Sequence, residues 1–298
     1  MEVRHLELLR ELADRGSLAA VADATHRTPS ALSQQLRSAE RDVGMRLVEP
    51  DGRGLRLTAA GRLLAAGAVT VATALGQVQR DLDALRGAPA GVVGIAALPS
   101  AAEVLVPALL VALADTAVTV ELDDVDIAEA DYATRTADYD IVIGHSMARR
   151  PTAEQGLHVS LLAREPLDVA IPAAHPLAAR PQVRAADLTG QPWIGVPPGF
   201  PFDALRIAIE NRAGAAVDVR YRVRDNRLVE SLVAVGVGLA ILPRYTTRPR
   251  EGVVTRPIAD VRSTRTLLAL SRPDRAQRAA VIVVLDRLRE IGRERTAR

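Results

Sequence analysis

The sequence predicts an α/β protein in three parts: a small helical unit with a hairpin over 1–58, a long helix over 59–87, and a two-lobed α/β body over 91–298. Three observations predict it. Two helix caps flank a short turn near the N-terminus, an unbroken apolar heptad follows, and beyond a Gly/Pro-rich break strands alternate with helices.

In the first unit, Leu6, Leu8, Leu9, Leu12 and Ala13 among charged neighbours predict a helix over 3–14, ended by Gly16. Ser17 caps a second helix whose inner stripe is Leu18, Val21, Ala22 and Thr25. His26-Arg27 makes the turn, and Thr28 caps a third helix with Pro29 at its first position, where a missing N–H costs nothing. This is a helix-turn-helix. From there Leu32, Leu36, Ala39 and Val43 recur at helical spacing and form one buried face. Ser30, Ser33, Gln34, Arg37 and Arg41 fall opposite, a front of hydroxyls, an amide and guanidiniums that can enter a groove of double-stranded DNA. Ser30, Ser33, Gln34 and Arg37 are the candidate base readers, and Ser17, Thr28 and Pro29 at the helix starts complete the candidate DNA-contact set. Residues 47–57 read as a hairpin turning at Pro50-Asp51-Gly52, a wing from which Arg53 and Arg56 face phosphate.

Thr58 caps the long helix, in which Leu64, Ala68, Val71, Leu75, Val78, Leu82 and Leu85 alternate spacings of four and three. That is a coiled-coil seam. An isolated helix of this length is marginal in water, so the stripe needs a partner. Self-association through the same helix of a second chain is the expectation, and packing on the body of its own chain is the alternative.

After the break at 87–91, strands are predicted over 92–98, 118–122, 140–144, 167–171, 193–196, 217–223, 239–242 and 266–270. Helices are predicted over 101–113, 128–137, 202–213, 227–235 and 276–293. The returning C-terminus assigns one lobe to about 91–162 and 266–298 and the other to about 163–265. Open α/β sheets bind ligands outside the carboxyl ends of their strands, so the strand-end loops carry the candidate small-molecule contacts. These are Pro99, Ser100 and Ala101, which open a helix whose N–H groups can hold a carboxylate, with His145, Pro198, Phe200 and Asn226.

Composition removes several chemistries. All 38 basic side chains are Arg, so no phosphate-loop or Schiff-base lysine exists, and the absence of Cys rules out disulfides and thiolate catalysis. The five His, at 5, 26, 145, 158 and 175, show no ligand spacing, so neither metal nor cofactor is expected. A net charge of +2 neither demands nor excludes nucleic acid. The charged start is no signal peptide, and the longest apolar run, 231–243, is too short to span a bilayer. A cytoplasmic protein without a membrane partner is the expectation. Gly236-Val237-Gly238 is half of a dinucleotide fingerprint, but Ile241 takes the third glycine position.

The sharpest enzyme signal is Gly144-His145-Ser146-Met147-Ala148 after a strand, close to a serine-hydrolase elbow, with His158 and His175 as downstream bases. A serine hydrolase using Ser146 is therefore the alternative function. Against it, an elbow must open into a helix, and Pro151 comes too soon. A strand-end loop facing the cleft, in a protein that is not an enzyme, is the preferred reading.

Together the motifs resemble the LysR-type transcriptional regulators over nearly the whole chain. The resemblance is carried by Gly16-Ser17, the run Ala19 to Ala22, Thr28-Pro29-Ser30-Ala31-Leu32-Ser33, Glu40 with Gly44, and Leu57-Thr58-Ala59-Ala60-Gly61. In the body it is carried by Asp140-Ile141-Val142-Ile143, His175-Pro176-Leu177-Ala178 and the glycine-rich run from Val235 to Pro243. The resemblance implies a winged helix-turn-helix, a linker (dimerisation) helix and a periplasmic-binding-protein-like (type 2) effector domain sensing a small metabolite. It further implies a homodimer or tetramer, an interrupted palindromic operator, and RNA polymerase as a candidate partner. Thr25 and Ala39 stand where such proteins usually place Leu, and Glu49-Pro50 where a Phe-x-Arg wing entry is common. These departures predict looser packing behind the third helix.

Overall fold

The computed structural model describes residues 1–52, 54–125, 128–148, 156–247 and 250–297. Three helices, α1 (Val3–Arg15), α2 (Leu18–Thr25) and α3 (Pro29–Val43), precede a hairpin of β1 (Val48–Asp51) and β2 (Gly54–Leu57). Leu8, Leu9, Leu12, Val21, Leu32, Leu36 and Ala39 interlock as their core. Ala39 is buried, so the small side chain is enclosed rather than left at a gap. Thr25, expected in the inner stripe, is exposed, and its hydroxyl donates to the Val21 carbonyl at 2.7 Å. Ala13 is exposed as well.

Helix α4 (Ala59–Arg86) starts under tight restraint. Thr58 accepts from the Gly61 N–H at 3.1 Å, donates its hydroxyl to the Arg46 carbonyl at 2.9 Å, and its N–H meets the Leu47 carbonyl at 3.0 Å. A Cβ on Gly61 would stand 2.1 Å from that Leu47 oxygen, so only glycine permits the approach. Ala65 and Ala68 are buried, whereas Leu75, Val78, Leu82 and Leu85 are 53%, 57%, 44% and 85% exposed. The lower seam is therefore open in the single chain. Residues 59–85 are long and apolar enough to cross a membrane by length and composition alone, the one such helix among the described residues.

The body is a continuous sheet in the order β4-β3-β5-β11-β6-β9-β7-β8. Its strands are β3 (Ala90–Ala97), β4 (Ala117–Asp124), β5 (Ile141–Ser146), β6 (His158–Pro172), β7 (Pro192–Gly195), β8 (Asp218–Arg222), β9 (Leu239–Pro243), β10 (Val253–Arg256) and β11 (Thr264–Ser271). β10 pairs β6 off this path. The first lobe packs α5 (Pro99–Leu113) and α10 (Ala279–Ala297) on β3, β5 and β11. The second packs α7 (Ala185–Leu188) and α8 (Pro201–Ala213) on β6, β7 and β9 around Trp193, Leu205 and Ile209, and α9 (Asn226–Ala234) on the same strands in a separate cluster around Ala170, Ile194 and Leu242. β6 runs 15 residues through both lobes, pairing β11 by its first half and β9 and β10 by its second.

That long strand corrects the predicted one at 167–171. The charged Arg164-Glu165 interrupts the apolar pattern without interrupting the strand, because Glu165 lies opposite Arg265 in the β6–β11 ladder. β10 was not anticipated. The helix predicted over 128–137 is a short 3₁₀ turn, Glu129–Asp131, followed by α6 (Tyr132–Arg135). The last helix begins at Ala279 after a 3₁₀ turn at Arg275–Gln277.

Candidate DNA interface and ligand cleft

On α3, Ser30, Gln34 and Arg37 are exposed and Ser33 is half-buried. Thr28 caps the helix by accepting from the Ala31 N–H at 3.2 Å and touches Ser30 Oγ at 3.1 Å, while Arg37 donates to Ser33 Oγ at 3.0 Å. Ser17 caps α2 by accepting from the Ala20 N–H at 3.1 Å. Of the two wing arginines, Arg53 lies outside the described residues. Arg56 is exposed and paired across the hairpin with Glu49 at 2.8 Å. An exposed pair of this kind is worth roughly 0–1 kcal/mol, so a phosphate can displace Glu49. Sequence reasoning missed Gln35. Its amide donates to the Arg4 carbonyl, and its oxygen accepts from Arg27 at 2.7 Å, so it latches α3 to the start of α1.

A cavity of about 590 Å³ opens between the two lobes. Pro99, Ser100, His145, Phe200 and Asn226 line it. Ala101 instead sits in the first lobe's core, because it lies on the inward side of α5, and Pro198 is exposed and off the cavity wall. Leu98, Tyr132, Val196, Phe202 and Leu228 supply apolar wall. The Tyr132 ring lies against Gly144, where a Cβ would come within 2.5 Å of it.

The cavity floor is built on Arg265, which is fully buried. Its Nε donates to Glu165 Oε2 at 2.8 Å, and its Nη1 donates to Ser100 Oγ at 2.9 Å and to His145 Nδ1 at 3.0 Å. Nη2 stands 2.6 Å from the same Glu165 oxygen but off hydrogen-bond alignment. Glu165 also accepts from the Tyr245 N–H at 2.6 Å. The ion pair therefore balances its own charge, and the Phe202 ring closes over it 5.5 Å from the guanidinium. Because His145 Nδ1 accepts, Nε2 carries the imidazole proton, and that N–H has no protein partner among the described residues. Burial, and then the Arg265 charge, hold His145 well below the usual histidine range, so it stays a neutral donor. The Ser100 N–H, in the first turn of α5, has no partner within the helix either.

At the rim Arg227 of α9 donates to Glu103 of α5, tying one lobe to the other, and Arg224 stacks 5.5 Å over Phe200. Sequence reasoning missed Arg265, Glu165, Arg224, Arg227 and the aromatic pair Tyr132 and Phe202. The available signal was charge inside apolar strands, Arg164-Glu165 and Arg265.

Among the described residues the hydrolase arrangement is absent. Ser146 Oγ accepts from the Ala148 N–H at 3.1 Å, His158 is engaged by Ser160 at 3.1 Å, and His175 caps its own turn at Leu177. No base among the described residues reaches the serine, and no group of His, Asp or Glu suited to a metal occurs among them.

A winged helix-turn-helix joined by a long helix to a two-lobed domain with a ligand-sized cleft defines a DNA-binding regulator with an effector domain. The chain belongs to the LysR family: residues 3–62 match the bacterial regulatory helix-turn-helix protein, lysR family, and residues 86–293 match the LysR substrate binding domain. It is a LysR-type DNA-binding transcriptional regulator with an effector-binding domain and not a hydrolase. A hydrogen peroxide-inducible genes activator of Pectobacterium carotovorum subsp. carotovorum is 27% identical over 296 residues, covering 97% of this chain and 96% of that protein. Among solved structures, a full-length OxyR variant from Pseudomonas aeruginosa matches with a TM-score of 0.67 at 20% identity, covering 97% of this chain and 98% of that one. Full-length CbnR complexed with its target DNA matches with a TM-score of 0.51 at 22% identity, covering 99% and 100%.

Proposed function

We propose that this regulator binds a small organic acid with a compact apolar or aromatic body in the interlobe cleft, and that the ligand sets how two copies of α3 meet an interrupted palindrome. The carrying observation is the cleft floor around Arg265, which offers free donors, while the carboxylates that line the cavity are engaged elsewhere, Glu103 by Arg227 and Asp225 as the cap of α9. His145 Nε2–H, the Ser100 N–H and the Ser100 hydroxyl proton are free, while the Arg265 charge is already balanced by Glu165. A ligand must bring acceptor oxygens to such a floor, and Phe200, Phe202 and Tyr132 take the rest of it. The set of effector contacts is Pro99, Ser100, His145, Phe200 and Asn226 with Arg265 behind them.

Ser30, Ser33, Gln34 and Arg37 read base edges in the major groove, Ser17, Thr28 and Pro29 hold the helix starts, and Arg53 and Arg56 face phosphate. The open seam on α4, with four large apolar side chains exposed, joins two chains, or two pairs of chains. The protein works in the cytoplasm, with RNA polymerase as the partner that receives the signal. This chain has no Cys, so it does not sense an oxidant through a thiol, whatever its peroxide-named relatives respond to.

A thermal-shift screen of small carboxylic acids against their amides and methyl esters tests the ligand class. Acids alone should raise the Tm, and His145→Gln should remove the rise. Stabilisation by amines, or by esters as strongly as by acids, would contradict the reading.

A further inference from the structure

Strand β11 runs from the ligand cleft to the DNA-binding unit. At its start is Arg265, the cleft floor. One residue past its end is Arg272, whose buried guanidinium donates to Glu11 at 3.1 Å and to Asp14, both on α1 of the DNA-binding unit. Two flanking pairs cross in the opposite sense: Arg10 of α1 donates to Asp274 at 2.7 Å, and Arg15 donates to Asp138 at 2.7 Å. Near the same place Gly76 of α4 comes close to the Asp274 carbonyl, and Arg80 donates to Gln277. The charges are reciprocal, with acids and arginines on both surfaces, so the contact is specific rather than a general attraction.

The strand between the two arginines is well suited to transmit a displacement. It is buried from Arg265 to Ser271 and held on both sides, by β5 and by β6. Seven residues of strand span roughly 23 Å. A packed strand of this kind shifts as a unit or not at all, because its neighbours leave no slack. Arg272 is nearly fully buried, and a charge so buried is costly to leave unpaired, so its clasp has a made and an unmade state with little between.

We propose that the cleft communicates with the DNA-binding unit along β11, and that the Arg272 clasp on α1 is the contact it makes or breaks. This rests on the ligand reading above and adds the route: a ligand that accepts from the free donors of Ser100 and His145 pulls on the two neutral partners of Arg265. Arg265 then moves with β11, and the grip of Arg272 on Glu11 and Asp14 changes. The α1 helix carries α3 through their shared core, so a loosened clasp frees the reading head to reorient on the body.

The test needs neither ligand nor operator. Hydrogen exchange is followed in the full-length protein at residues 3–15 and 272–278, in the wild type, in Arg272→Gln, in Ser100→Ala/His145→Gln, and in the triple combination. Glu11→Gln/Asp14→Asn replaces Arg272→Gln if the latter does not fold, since those acids are less buried. Breaking the clasp should speed exchange in both segments roughly tenfold, as for loss of charge-assisted hydrogen bonds. The cleft-floor pair should change it by about threefold or more in the wild-type background and not at all once the clasp is gone. If the cleft-floor pair leaves these segments unchanged, or changes them equally with and without Arg272, the β11 route is wrong. Because no ligand enters the cycle, that failure is separate from a failed acid screen, which would strike the ligand reading alone.

Discussion

His145 is a donor because its neighbours deny it a charge. Burial and then Arg265 lower its proton affinity in the folded state, and burial and then Arg289 do the same to His158. In the unfolded chain both return to the ordinary value near 6.5. Below that pH the unfolded state takes protons that the folded state refuses, so stability is complete above about pH 6.5 and declines as pH falls toward the folded values. Urea midpoints measured on either side of that value, at about pH 7.5 and about pH 5.5, should fall with pH. The loss is up to about 1.4 kcal/mol per pH unit for the buried His145, and less for His158, which solvent screens. His145→Gln should flatten the decline, and an unchanged slope in that variant would show that another group is responsible. Sequence alone pointed to His145 by reading Gly144-His145-Ser146 as a strand-end loop facing the cleft; those residues are instead the last part of β5, paired with β11, and His145 reaches the cleft from the strand itself. It did not point to Arg265, because the partner that makes a buried arginine tolerable, Glu165, lies 100 residues away in the chain.

Among the elements, α3 was legible because a helix with one apolar face and one polar face writes its period directly into the sequence. The inward turn of Gln35, beside the outward Gln34, was not, since its partners Arg4 and Arg27 come from other segments. If Arg37 reads guanine, Arg37→Ala should cost about 1–3 kcal/mol at one base position of the operator. Arg56→Ala should instead weaken all sequences alike and reduce the salt slope by about one phosphate contact, once Glu49 has been exchanged for DNA. Titrations on operator and random DNA separate the two, and equal losses from Arg37→Ala on both would remove its base-reading role. The α4 helix was likewise legible from its apolar spacing, and the packing of Gly61 and Ala65 on the reading head was not. Leu82→Arg places a charge in the open seam and should shift the protein to monomer in sedimentation at micromolar concentration. A dimer that survives it would mean that α4 is covered by something other than its own copy.

For the whole molecule, the division into a reading unit, a long helix and an α/β body follows from caps, a heptad and a change of pattern after Gly87. How the lobes connect does not, because β6 passes through both and β11 returns between them, a non-local pairing that no local period records. The same two strands place the Arg265–Glu165 pair at the crossing and Arg272 beside α1. The central claim is that cleft occupancy changes DNA binding, which by linkage must also appear as a change in ligand affinity when DNA is bound. The most direct measurement is an operator footprint of the wild type and His145→Gln, with and without the strongest acid from the thermal-shift screen. The acid should change the extent or affinity of the wild-type footprint and leave that of His145→Gln as it was. A footprint that the bound acid does not alter in the wild type would contradict it.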